Sequence, residues 1–231
     1  QVTSLLAMDA PVGSDPTSLR AEKLRLFRAM RPLNPRDVVR GQFKGYRGVA
    51  GVAADSDIET FVALALHIDT WRWAGVPFYI RAGKHLPITT TEVVVDMKPP
   101  PLSIFDPITP PLSNYFRFRL SPDVVIAEGM RVKRAGETMQ GEPVELVARH
   151  RPGPVKSPYE RLLGDALRGD NALFTSDESV EAAWAVVDPA LKHEHGVELY
   201  EPGSWGPAAA QHIVSSAEGW HDPAAEATKP C

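Results

Sequence analysis

The chain has 231 residues, 43% apolar and 23% charged, with 25 basic against 29 acidic side chains and a net charge of −4. That length can bury a sizeable core as one large domain or two small ones; the near-balanced charge argues against a nucleic-acid partner, and no window holds the roughly 18 uninterrupted apolar residues of a membrane span. A single cysteine, Cys231, excludes an intramolecular disulfide framework and fits a reducing compartment, while 22 prolines predict many turns.

The opening Gln1-Val2-Thr3-Ser4-Leu5-Leu6-Ala7-Met8 has neither an initiator methionine nor the basic region of a signal peptide. Leu5 and Met8 at helical spacing predict the last turns of a helix that starts upstream. Asp15-Pro16 reads as an N-cap followed by proline at the first helical position. Leu19, Leu26, Phe27 and Met30 share one face of that helix, and Pro32 and Pro35 end it. Val38 to Phe43 reads as a strand, followed by a loop carrying Gly45, Gly48 and Gly51. The run Phe61 to Leu66 fits a buried strand or a helix, and periodicity alone does not separate them.

After a turn at Trp71-Arg72-Trp73 the pattern becomes mostly β. Pro77 to Arg81 is short and apolar, and Thr91 to Met97 sets Val93, Val95 and Met97 on one face. Tyr115 to Leu120 alternates more sharply, with Phe116, Phe118 and Leu120 on one side and Tyr115, Arg117 and Arg119 on the other. Val144, Leu146 and Ala148 repeat the pattern, as expected of an antiparallel sheet with one covered face. Residues 99–111 carry six prolines and read as an excursion between strands. Two helices follow. Ser157-Pro158 starts one, with an apolar stripe of Tyr159, Leu162, Leu163, Ala166 and Leu167 and Gly169 at its end. Ser176-Asp177-Glu178 starts the other, with Val180, Ala183, Trp184 and Val187 before Asp188-Pro189. Beyond Gly203 the chain reads as loop and tail. The order of helix, strands and helices defines an α+β class with an antiparallel sheet.

Motifs of several enzyme classes fail. Gly45, Gly48 and Gly51 are spaced three apart and precede no helix, unlike a dinucleotide fingerprint. Gly83-Lys84 ends like a P-loop, but Phe78 stands where that motif needs glycine and His85 where it needs Ser or Thr. His193-Glu194-His195 has two imidazoles without a third nearby ligand, so no metal is expected. Ser204 lacks a nucleophile elbow and Cys231 a positioned partner. The densest segment is Trp71 to Lys84. It runs turn, strand, then a glycine that admits close backbone approach. Lys84 follows as a mobile cation suited to a sugar hydroxyl or phosphate oxygen, against the alternative of a simply solvated lysine. Arg81, ending the apolar strand, fits a sheet-edge ion pair.

The same residues carry a resemblance. Arg72-Trp73-Ala74-Gly75-Val76-Pro77-Phe78-Tyr79-Ile80-Arg81-Ala82-Gly83-Lys84 is similar to the R-W-x-G-V-P-F-x-x-R-x-G-K segment of glucose-6-phosphate dehydrogenases. Arg20-Ala21-Glu22-Lys23, Gly41-Gln42-Phe43, Glu59-Thr60-Phe61, Tyr159-Glu160-Arg161-Leu162-Leu163 and Glu201-Pro202-Gly203-Ser204-Trp205-Gly206-Pro207 agree in order. The resemblance implies the C-terminal, α+β, substrate-side and dimerisation domain over 1–207 with a tail over 208–231, helices on one face of a large antiparallel sheet, and a strand at Phe61 to Leu66. It implies oxidation of glucose 6-phosphate by NADP⁺ in a cytoplasmic homo-oligomer, a dimer through the sheet. Lys84 matches the family's sugar contact, and Arg81 and Arg119 match positions that hold a second, structural NADP⁺ in some members. None of the seven histidines matches the family's general base, so no catalytic residue is expected in this chain. Thr89 and Thr90 stand where many members carry basic residues, and Ser121 where several carry glutamine. The alternative is a divergent, non-catalytic sugar-phosphate-binding or oligomerisation module.

Overall fold

An aspartate before a proline starts the first long helix. In the computed structural model, which describes residues 1–102, 104–105, 113–136, 138–150, 157–171, 174–192, 196–216 and 219–225, the Asp15 carboxylate accepts the backbone N–H groups of Thr17 and Ser18 at 2.9 and 3.0 Å. The Ser18 hydroxyl and these N–H groups hold the Asp15 carboxyl below its ordinary range. Helix α2 (Pro16–Ala29) then turns Leu26 inward, and Met30 follows it into the core.

The chain divides into two compact units. One comprises Gln1–Lys84, Val155–Pro202 and Gly206–Val214; the other comprises His85–Pro154, Gly203–Trp205 and Ser215–Cys231. In the first unit, β1 (Val38–Phe43), β2 (Phe61–His67), β3 (Pro77–Gly83) and a further strand at Glu198–Tyr200 form a sheet. Its order is β3, β2, β1, then the Glu198–Tyr200 strand. β2 is antiparallel to both neighbours, with Phe61 opposite Gly41 and Gly83. The Phe61 to Leu66 run is thus a strand paired on both sides. Phe61, Ala63 and Leu66 are buried, and Leu66 joins Ile68, Leu26, Met30, Leu33 and Ala7 of α1 (Val2–Ala7) in the core.

Two helices complete this unit, and both orient differently from the sequence expectation. α3 (Pro158–Arg168) is capped as anticipated, with the Ser157 hydroxyl accepting the Glu160 N–H at 3.1 Å and Gly169 at φ 71°. Its apolar stripe, however, faces solvent: Tyr159 is 80% and Leu167 90% exposed, whereas Asp165 is buried beside Arg168. α4 (Asp177–Leu191) runs through Pro189 to Leu191 instead of stopping before it. Pro189 has no N–H to offer the Ala185 carbonyl, so the last turn forms with one hydrogen bond fewer. Its buried residues are Ser179, Val186 and Ala190, while Val180 and Trp184 lie outside. Small side chains let α4 approach α2, and the bulkier pair that dominates the hydropathy pattern is turned away from that contact.

The second unit is a four-stranded antiparallel sheet of β4 (Thr91–Asp96), β5 (Tyr115–Ser121), β6 (Val124–Lys133) and β7 (Gly141–His150), in that order. The strand of Glu198–Tyr200, now β8, pairs parallel with β1, so the strands form two sheets with one parallel pair. The alternation in β5 is as expected, but the covered face is the arginine face. Arg117 and Arg119 are 8% and 4% exposed, against 51% for Ile126 and 58% for Leu146 on the apolar face. Pairing explains the inversion. Glu145 meets Arg117 with both oxygens at 3.0 Å, and Glu92 accepts from Arg119 at 2.7 Å and Arg117 at 3.3 Å. His221 reaches Glu92 at 2.8 Å, and Arg119 donates to the Ala224 carbonyl at 2.8 Å. Gly129 is required here, because a Cβ there would lie 2.2 Å from the Tyr115 ring that crosses it toward Glu145.

Burial of Glu92 raises its pKa, but Arg119 and His221 outweigh that effect and hold it below the ordinary carboxylate value. Its charge therefore stabilises the fold above the unfolded pKa of about 4.3, and that contribution is lost as pH falls through the lower folded value. Glu92→Gln leaves two buried guanidinium groups short of an anion. Urea denaturation should show a loss of about 3 kcal/mol at neutral pH, with the gap to the parent chain closing below about pH 4.

Candidate functional site

Four strand ends meet at one edge of the first sheet: the C-terminal ends of β1, β3 and β8 and the N-terminal end of β2. Beyond a sheet's last ladder bond, backbone groups must find other partners. Thr60 supplies most of them. Its N–H donates to the Gly41 carbonyl at 2.8 Å, its hydroxyl accepts from the Phe43 N–H at 2.9 Å, and its carbonyl accepts from the Lys84 N–H at 2.8 Å. Tyr200 completes the set by donating its hydroxyl to the Lys84 carbonyl at 2.7 Å. The Thr60 hydroxyl lies 3.2 Å from the Tyr200 oxygen and can donate to it, which leaves the single phenolic proton for Lys84. Burial pushes the Tyr200 pKa up, so this group stays a donor.

Lys84 is consequently held by its main chain on both sides while its side chain is exposed. Nearby at the same edge, Lys44 donates its N–H to the Tyr200 carbonyl at 2.9 Å, and its ammonium pairs with Glu201. Among the described residues Lys84 has no such counter-ion. Gln42, 1% exposed, donates to the carbonyls of Ser56 and Ile58 at 3.0 and 2.9 Å and fastens the glycine-bearing loop to the end of β1. The arrangement can present one fixed cation to an anionic or polyhydroxylated ligand.

Of the residues named from sequence, Lys84 directly follows β3 at this edge, and Arg81 is half-buried within β3 opposite Ala63. Arg119 belongs to the second unit, where an anionic cofactor would have to displace both Glu92 and the Ala224 carbonyl from its guanidinium. Thr90 and Ser121, two of the departures from the family pattern, are bonded to each other, the Thr90 hydroxyl donating to the Ser121 carbonyl at 2.7 Å. Among the described residues no group of three His, Cys, Asp or Glu side chains is arranged for a metal. His193-Glu194-His195 lies outside them. No described helix is long and apolar enough to cross a membrane. A cavity of about 230 Å³ lies at the other end of β1, lined by Pro35, Val38, Val39, Arg40, Ala190 and Glu198. Its Arg40 is paired with Glu59 at 2.7 Å.

Sequence reasoning missed Thr60, Gln42 and Tyr200 as site-building residues. β8 has three residues, too few for any periodicity, so nothing in the sequence marks Tyr200 as structural. The one available signal was its place just before Glu201-Pro202-Gly203-Ser204-Trp205-Gly206-Pro207.

The comparisons with known proteins agree with this architecture. The family profile described as glucose-6-phosphate dehydrogenase, C-terminal domain, matches residues 1–221. The chain belongs to that family. It is 42% identical to glucose-6-phosphate 1-dehydrogenase 1 of Mycobacterium tuberculosis over 96% of this chain and 48% of that protein. It is 38% identical to the glucose-6-phosphate 1-dehydrogenase of Mycolicibacterium smegmatis, over 97% of this chain and 50% of that one. The crystal structure of glucose-6-phosphate 1-dehydrogenase from Mycobacterium avium superposes with a TM-score of 0.88 at 39% identity, covering 98% of this chain and 49% of that chain. A glucose-6-phosphate dehydrogenase in complex with its substrate glucose 6-phosphate gives 0.82 at 27% identity, over 96% and 49%. The chain spans about half the length of the curated relatives it matches.

Gly206 supports the site from behind. At φ +103° its Cβ would sit 2.3 Å from the ring of Phe61, which packs on Tyr200 with centroids 5.4 Å apart. Gly206→Ala should destabilise the chain by about 2 kcal/mol or more in thermal or urea unfolding. Gly48→Ala, with nothing within 4 Å of the added Cβ, should change stability by less than about 0.5 kcal/mol.

Proposed function

We propose that this chain is the substrate-side part of an NADP-dependent glucose-6-phosphate 1-dehydrogenase that converts glucose 6-phosphate to the 6-phosphogluconolactone. The observation that carries the reading is the exposed Lys84 ammonium on a backbone fixed by Thr60 and Tyr200, in a chain that belongs to this family along nearly its whole length. Lys84 binds and orients the sugar phosphate by charge-assisted hydrogen bonding to its oxygens, while the rest of the platform fixes where that ammonium starts. NADP⁺, when bound, accepts the hydride leaving C1. The C1 hydroxyl proton goes to a general base that residues of this chain do not supply. We propose cytoplasmic activity on the same grounds, together with the single cysteine in 231 residues.

The test is an assay of the full-length gene product with glucose 6-phosphate and with NADP⁺ or NAD⁺. Lys84→Ala should raise the KM for glucose 6-phosphate by roughly 10- to 100-fold, as expected on removing a charged hydrogen-bond donor, and leave the KM for NADP⁺ near its original value. An unaltered dependence on the sugar phosphate would falsify the assignment. A full-length product without turnover that still binds the sugar phosphate would instead favour a non-catalytic module.

The apolar face of the second sheet supports a homodimer. Val93, Phe118, Ile126 and Ala148 stand in one cross-strand row, and Leu146 and Val144 follow in the adjacent rows. Exposure of 51% at Ile126 and 58% at Leu146 is more than a solvated sheet face ordinarily carries in such a cluster. A second copy laid face to face would bury these residues without unpairing any backbone group, and would have to pair or leave at its rim Glu128, which stands between Phe116 and Leu146. Sedimentation of the full-length protein should give a dimer, and Ile126→Asp with Leu146→Asp should give a monomer. A wild-type monomer at micromolar concentration would end this proposal.

A further inference from the structure

The Lys84 platform contains one group whose shortest polar contact is directed at Lys84. The Tyr200 ring is 3% exposed and packs against Phe61, so its burial is explained by the core. Its hydroxyl is not. A phenol brought into a buried strand end must find a partner, and the short contact it makes is with the carbonyl of Lys84 at 2.7 Å, across 116 residues of sequence. The longer approach to the Thr60 carbonyl, 3.3 Å, competes for the same proton and is the weaker of the two. Thr60 sets the direction of that proton. Its hydroxyl accepts from the Phe43 N–H at 2.9 Å, so its own hydrogen is left to point at the Tyr200 oxygen 3.2 Å away.

We propose that Tyr200 is a positioning residue for sugar-phosphate binding, acting through the main chain of Lys84. The inference rests on the reading of Lys84 as the sugar-phosphate contact. The Lys84 N–H is already bonded to Thr60, but one bond leaves the peptide plane that follows it able to swing about ψ. The Tyr200 hydroxyl fixes that second plane. With both planes fixed, the Cα–Cβ direction of Lys84 is fixed, and a four-carbon side chain samples a cone instead of a hemisphere. The next residue turns sharply: His85 adopts φ +51°, which a side-chain-bearing residue enters only when its neighbours hold it. β8 thereby links the late part of the chain, after α4, to a ligand contact made at the end of β3.

The test uses the full-length enzyme and steady-state kinetics with both substrates. Tyr200→Phe keeps the ring and its packing and removes only the hydroxyl. It should raise the KM for glucose 6-phosphate roughly fivefold, the effect of one neutral hydrogen bond, with kcat and the KM for NADP⁺ within about twofold of wild type. In the Lys84→Ala background the same substitution should add nothing further, because the ammonium it positions is gone. Thr60→Val, which removes the hydroxyl that orients the phenol, should move the KM in the same direction, and Thr60→Ser should restore it. If Lys84→Ala raises the KM and Tyr200→Phe does not, the positioning role is wrong and the Lys84 contact survives. If Lys84→Ala itself has no effect, both fall. Additive effects of the two substitutions, or a lower melting temperature with an unchanged KM, would also overturn the role, since either outcome describes a structural tyrosine only.

Discussion

Thr60 ties together the strand ends at one edge of the first sheet. It uses its amide, its hydroxyl and its carbonyl at once, on Gly41, Phe43 and Lys84, at a point where the ladder between β1 and β2 has run out. A residue without a side-chain hydroxyl would leave the Phe43 N–H without that acceptor, and unpaired buried amide groups are rare because they are expensive. Everything functional at this edge stands on that knot: the register of β1 against β2, the direction in which β3 ends, and the approach of β8 from the far end of the chain.

The second unit obeys a different logic. Its covered face sets charges beside the buried Val125 and Ala127, with Glu92 almost fully buried between two guanidinium groups and an imidazole. Removing carboxylates and guanidinium groups from water is unfavourable unless each finds several partners, and here each does. Arg117 bridges Glu92 and Glu145, and Arg119 adds the Ala224 carbonyl. The result is a face that is buried and specific in register, because sliding β5 along β4 would part Arg119 from Glu92. The opposite face makes no such demands and is mostly apolar, with the exposed Glu128 between Phe116 and Leu146.

Local chemistry was legible in the sequence where a few neighbouring residues decide it. Asp15 before Pro16 and Ser157 before Pro158 cap the helices that they announce. The alternation from Tyr115 to Leu120 identified β5 and its two faces. What the pattern lacks is the sign of each face, since period-two alternation is symmetric and only the partners, Glu92 and Glu145, decide which side is closed. The same limit applied to α4, where hydropathy favoured Trp184 and packing selected Ser179, Val186 and Ala190. Lys84 was found as a candidate through its glycine neighbour and the family pattern. The residues that hold it were not, because Thr60 and Tyr200 are brought to Lys84 by pairing between strands distant in sequence.

The two-faced strand β5 has a consequence for how such chains can change over generations. Substitutions on either face alter one contact at a time. A one-residue insertion or deletion within the strand does something else: it carries Arg117 and Arg119 to the open side and Phe116 and Phe118 to the side where Glu92 waits. Arg117 and Arg119 then lose Glu92 and Glu145 in one step. Length variation in relatives of this chain should therefore collect in the connections between strands, and inside β5 it should occur in pairs of residues or not at all.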